Sequence, residues 1–94
     1  MIVMNEHTDM VAALARALRR EAQADYCVAE SGAAGPPDGI RRSFKNGECW
    51  LAAVGPAGER TAHIALNPFL TRKEHMIEFS RCSLVLLLEL IEQE

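Results

Sequence analysis

Tyr26-Cys27-Val28-Ala29-Glu30-Ser31-Gly32-Ala33-Ala34-Gly35-Pro36-Pro37-Asp38-Gly39 passes from a short apolar run into a segment that holds three glycines, two prolines and one serine. Residues 26 to 29 read as a strand that is apolar on both faces of the pleat, which places it in the middle of a covered sheet. From Ala29 to Gly39 the chain is predicted to be neither helix nor strand interior. Glycine permits positive φ, and each proline removes a backbone donor. A restricted turn directly after a strand is where an α/β protein places a ligand. The connection runs on to Gly47, longer than most structureless loops, and such lengths are often functional.

Upstream, Met10, Val11, Leu14, Leu18 and Ala22 recur at three- and four-residue steps. That spacing predicts a helix over residues 9 to 23, capped by Thr8 or Asp9, with these side chains as its apolar face. Downstream, Cys49 to Val54 reads as a second strand, and Gly55-Pro56-Ala57-Gly58 as the turn of an antiparallel hairpin. The returning strand, Arg60 to Leu66, alternates in polarity and suits a sheet edge. Thr71-Arg72-Lys73-Glu74 spells a capping box that opens a helix to about Ile91. Its five consecutive apolar residues, Leu84 to Leu88, cannot all face one small sheet, so a homodimer or higher oligomer is expected.

The predicted order is therefore α-β-β-β-α: an α/β domain spanning residues 1–94, with a small mixed three-stranded sheet covered by two helices. A net charge of −3 and only five aromatic residues argue against nucleic-acid binding. No apolar run approaches the ~20 residues that span a bilayer. The start of the chain lacks the pattern of a signal peptide. Cys27, Cys49 and Cys82 are widely spaced among apolar neighbours, as reduced thiols in a cytoplasmic protein would be. Closely spaced ligand pairs for a metal are missing, and no cofactor is expected.

Ala24-Asp25, the strand, and Ser31-Gly32-Ala33-Ala34-Gly35-Pro36 together resemble the C-terminal domain of the competence/damage-inducible CinA family. Its members are built around an Ala-Asp, a strand and a Thr-Gly-Ile-Ala-Gly-Pro segment. A Lys-Pro-x-Gly turn, a hairpin and a Gly-Asp-Arg turn into the last helix follow. The resemblance implies a three-layer α/β/α fold and covers residues 9 to 92, which correspond to the later half of the family's domain. Ser31 stands at the position of an active-site threonine, Gly32, Ala34, Gly35 and Pro36 match outright, and Arg72 stands near the arginine that opens the final helix. Lys45-Asn46-Gly47 is a loose version of the Lys-Pro-x-Gly turn.

The family includes nicotinamide-nucleotide amidohydrolases, which deamidate nicotinamide mononucleotide. In them the catalytic serine lies in an upstream Ser-Cys-Thr-Gly-Gly loop, with a tyrosine and a lysine beyond it. Here there is no Gly-Gly pair, and the single tyrosine, Tyr26, falls in a strand.

Amide hydrolysis requires an activated nucleophile, a base and donors for the oxyanion. Ser31 is the candidate nucleophile, with His63, His75 or Lys45 as its base by composition alone. A hydroxyl in such a turn more often bonds its own backbone. The amides of Gly32, Ala34 and Gly35 suit a phosphate or carboxylate, with Arg41, Arg42, Lys45 and Arg72 completing the anion site. His63 reads as a packed or exposed histidine, His75 as solvent-facing and Trp50 as core.

The favoured reading is a shortened CinA-like protein that binds a phosphate-bearing ligand resembling nicotinamide mononucleotide, without hydrolysis of its own. One alternative is a deamidase completed by oligomerisation or a partner chain. The other is a small oligomeric scaffold.

Overall fold

The computed structural model describes residues 6–35 and 46–94. Two helices and three strands follow in the order α1 (Glu6–Ala22), β1 (Cys27–Gly32), β2 (Glu48–Val54), β3 (Glu59–Ala65) and α2 (Arg72–Glu92). This is the α-β-β-β-α order expected.

The sheet runs β1-β2-β3, and both pairings are antiparallel. It is not mixed, and β1 is an edge rather than the middle. The central place belongs to β2, whose Cys49, Leu51, Ala52, Ala53 and Val54 are all buried, as only a strand covered on both faces allows. β1 carries the exposed Glu30 instead. It also runs further than its sequence suggests. Glu30, Ser31 and Gly32 pair with Leu51, Trp50 and Cys49, so a continuous partner strand outweighs weak local propensity. Gly32 fits because a Cβ there would lie 2.8 Å from the Phe79 ring.

Register sorts the side chains onto two faces. Cys27, Ala29 and Ser31 lie opposite Val54, Ala52 and Trp50, and Val28, Glu30 and Gly32 opposite Ala53, Leu51 and Cys49. Ala29, Ala52 and Val54 pack with Val11, Ala12 and Ala15 of α1, with Trp50 at the margin. Cys49, Leu51 and Ala53 pack with Phe79, Leu86 and Leu90 of α2. The result is three layers, one helix on each face.

α1 begins at Glu6, so Thr8 and Asp9 lie inside it rather than capping it. It buries a different stripe from the one its large side chains suggest. Of the expected face Val11 is buried, joined by Ala12 and Ala15, whereas Met10, Leu14 and Leu18 are exposed. Alanines on the helix meet alanines on the sheet, and small side chains on both sides bring the two backbones close. The helix ends at Gln23, which takes a left-handed φ of 53°, while the Ala24 amide bonds the Arg19 carbonyl at 3.0 Å.

The hairpin closes as its turn sequence dictates, with the Gly55 amide on the Gly58 carbonyl at 2.9 Å. An Arg16–Glu59 ion pair ties α1 to the start of β3, and the guanidinium hydrogen bond holds the Glu59 carboxyl below its usual range. α2 opens on the expected capping box. Thr71 Oγ1 accepts from the Glu74 amide at 3.1 Å, and Glu74 Oε1 from the Thr71 amide at 2.9 Å. His75, Phe79, Leu86 and Leu90 form its buried stripe. Among the described residues no helix is long and apolar enough to cross a membrane.

All three cysteines are free thiols. Cys49 is fully buried, and burial pushes its thiol up to about 12. Iodoacetamide at pH 8 is expected to leave Cys49 unmodified in the folded protein and to alkylate it in urea, as peptide mass mapping would show. Native-state modification at the denatured rate would contradict this packing.

Candidate functional site

The end of β1 and the first turn of α2 meet. Ala33 continues the ladder, its amide on the Glu48 carbonyl at 2.9 Å, and its carbonyl accepts from the Gly47 amide. Beyond it, α2 takes hold of the backbone. His75 Nδ1 lies 2.9 Å from the Ala34 carbonyl, and Arg72 Nη1 donates to the Gly35 carbonyl at 2.7 Å. The other imidazole nitrogen lies 2.8 Å from the Asn67 carbonyl. An imidazole with one N–H donates to one of these two carbonyls and lies against the other, so the ring sits between two stretches of loop backbone.

This overturns the expectation for His75. It is 0% exposed and sits under Gly47, where a Cβ would come within 3.0 Å of its Nε2. A capping box sets the first turn of α2, but only the course of the loop decides whether position 75 faces water or backbone.

The anchors also orient the amides. No peptide bond is cis, and in a trans unit N–H and C=O point oppositely. With the Ala33 carbonyl on Gly47 and the Ala34 carbonyl on His75, the Ala34 and Gly35 amides turn away from those anchors. Gly35 holds φ at +92° beside the Asn46 side chain, a conformation glycine adopts without strain. Arg72 keeps further N–H groups beyond the one it uses here. Gly32, by contrast, lies exposed within the strand, with the Phe79 ring where a Cβ would stand. Arg41, Arg42, Lys45 and Pro36 lie outside the described residues.

Ser31 projects on the α1 face, opposite Trp50, and Trp50 lies opposite His63. Ser31 and His63 are therefore two strands apart, about 10 Å between backbones, with the indole between them. The His63 ring stacks on Trp50 at 4.6 Å and 4°, and His7 stacks on the same indole at 4.2 Å and 22°. Trp50 is half-buried rather than interior, and its Nε1 is buried without a hydrogen-bond partner among the described residues. His75 lies on the α2 side with both nitrogens facing carbonyls. Neither His63 nor His75 reaches the Ser31 hydroxyl, and the Lys45 alternative is outside the described residues.

His7 precedes the helix predicted from residue 9 and is not foreseen, and Asn46, read as part of the Lys45-Asn46-Gly47 turn, and Asn67 are not foreseen as neighbours of Gly35 and His75. The Asn67-Pro68 pair was the available signal for a sharp turn there, although not for what its carbonyl would hold. Among the described residues no group of three His, Cys, Asp or Glu side chains is placed to hold a metal ion.

Comparison with known proteins agrees with the fold. The profile of the CinA C-terminal domain matches residues 5–91. No curated protein matches the chain. Among solved structures, a competence-damaged protein (CinA) superfamily protein from Escherichia coli superposes with a TM-score of 0.72 at 24% identity, over 88% of this chain and 46% of that one. A CinA superfamily protein from Enterobacter cloacae gives 0.70 at 25% identity, over 92% of this chain and 47% of its own. The chain thus spans about half the length of the proteins it resembles. With the helix-sheet-helix order and the profile match in agreement, this protein belongs to the CinA C-terminal domain family.

Proposed function

We propose that this chain binds a small phosphate-bearing ligand of the mononucleotide type at the Ser31–Gly35 strand end and does not hydrolyse it alone. The observation that carries this reading is the double anchorage of the loop by α2, through His75 on Ala34 and Arg72 on Gly35. A backbone fixed from one side presents consecutive amides on the other, the arrangement by which turns bind anions. The lack of hydrolysis rests on Ser31, which neither His63 nor His75, the histidines read as its base, reaches. Removing one member of a catalytic unit removes most of the rate. Nicotinamide mononucleotide is the ligand the family resemblance suggests.

Thermal shift with millimolar inorganic phosphate or nicotinamide mononucleotide tests this. A rise in melting temperature is expected for the natural chain and not for Gly35→Val. No rise at millimolar ligand would defeat the binding reading. Ammonia release from nicotinamide mononucleotide that Ser31→Ala abolishes would replace it with a hydrolase.

A further inference from the structure

β1 is an edge of the sheet, and its outer backbone groups are left over. The Ala33 amide bonds the Glu48 carbonyl and the Ala33 carbonyl takes the Gly47 amide, so Ala33 faces β2. Backbone groups alternate along a strand, which turns the N–H and C=O of Gly32, Glu30 and Val28 away from β2. The Cys27 thiol lies 3.9 Å from the Val28 carbonyl. Otherwise none of these groups has a hydrogen-bond partner among the described residues. An edge left open in this way is a template for another strand.

Both helix layers overhang this edge. α1 sends Arg16 to Glu59 on the β3 side, and Leu14 and Leu18, each two residues from Arg16, project about 200° away from it. They therefore stand over the β1 edge, 45% and 46% exposed. In the other layer a depression of about 370 Å³ runs between β1 and α2, bounded by Val28, Glu30, Ser80, Ser83 and Leu84. The β3 edge differs. Its Arg60 pairs with Glu89 and its Glu59 with Arg16, the charged dressing that keeps an edge strand from pairing.

We propose that β1 takes up an extended segment of a second, different polypeptide as a fourth strand of the sheet. Three observations define that segment. Unpaired backbone groups at alternate residues call for another extended backbone, which neither a helix nor a lipid offers. Apolar side chains in both layers call for a strand that is apolar on both faces. Glu30, exposed in the middle of the edge, accepts from Ser83 and forms no ion pair among the described residues. The residue set opposite it is therefore basic. Glu21 lies near the Cys27 end, in the last turn of α1, and Lys73 near the Gly32 end, in the first turn of α2. Glu30 is the charge between them. A second copy of this chain is a poor match, because its own β1 brings a carboxylate and no cation to the same place.

Amide hydrogen exchange followed by NMR tests this, with the peptide acetyl-Thr-Val-Val-Lys-Val-Val-Thr-amide as the added strand. No phosphate or nucleotide is present, so the result stands apart from ligand binding at Ser31–Gly35. In the free protein the Val28, Glu30 and Gly32 amides are expected to exchange about 100-fold faster than those of Ala29 and Ser31. Peptide at 1 mM is expected to slow the first three about tenfold and to leave the other two unchanged. Replacing its lysine by glutamate, or N-methylating the amides of its pairing edge, is expected to abolish the effect. Glu30→Pro removes an outward donor that no bond inside the sheet uses, a change an edge strand tolerates. It is expected to keep the circular dichroism of the natural chain and to lose the peptide's protection of Val28 and Gly32. No slowing at 1 mM peptide would overturn the proposal, as would equal protection by the glutamate peptide. Slowing that grows with protein concentration alone, matched by a dimer in sedimentation, would give the edge to a second copy and overturn it too.

Discussion

His75→Ala is expected to lower unfolding free energy by about 3 kcal/mol, a cost built from a lost buried ring and a lost hydrogen bond. The ring is fully buried and lies against the Ala34 and Asn67 carbonyls. Truncation leaves a cavity beneath Gly47 and removes the ring N–H from the carbonyl it serves. In a domain of this size that loss corresponds to a fall in melting temperature on the order of 10–20 °C. Urea unfolding followed by circular dichroism measures it. His75→Phe separates the contributions, since it restores most of the volume without the bond, and about half the loss is expected. Equal stability of His75→Phe and the natural chain would show that the ring contributes packing alone.

Gly47→Val is expected to cost more, about 4 kcal/mol, from left-handed strain together with overpacking. Gly47 holds φ at +90°, and a Cβ would stand 2.9 Å from the Leu66 carbonyl oxygen and 3.0 Å from His75 Nε2. The first neighbour is backbone and cannot swing aside. The same residue donates to the Ala33 carbonyl and accepts from the Leu66 amide at 3.0 Å, so displacing it loosens both flanking segments. A loss below about 1 kcal/mol would mean that the turn relaxes freely. Because Gly47 and His75 touch, the double variant is expected to fall short of the sum of the single losses.

These two residues also mark where the sequence was legible. Gly47 and the apolar run after it predict a turn into a strand, and the strand forms. The hairpin was readable because Gly55-Pro56-Ala57-Gly58 leaves the chain one way to return, and the start of α2 because Thr71 and Glu74 cap it reciprocally. Such features are local, so a few neighbouring residues settle them.

What depended on distant partners was misread. Periodicity offers both the Leu14-Leu18 stripe and the Val11-Ala12-Ala15 stripe of α1. The small residues of the sheet select the second, and no window on the helix contains that information. β1 looked central by composition, yet β2 alone pairs on both sides. Of the candidate site, the sequence located Ser31, Gly35 and Arg72, and the structure brings Gly35 and Arg72 into contact. The burial of His75 depends on a loop 41 residues earlier in the chain, beyond the reach of any short pattern.

The stack on the α1 face of the sheet has an optical consequence. Trp50 is the chain's single tryptophan, and its indole lies between β1, where Ser31 sits, and β3, with two histidine rings stacked on it. All tryptophan emission therefore originates one strand away from the candidate site. Any event that shifts a ring from the indole, or brings an acceptor to its buried N–H, changes the colour or intensity of that light. The protein carries its own fluorophore, already positioned, and needs no label.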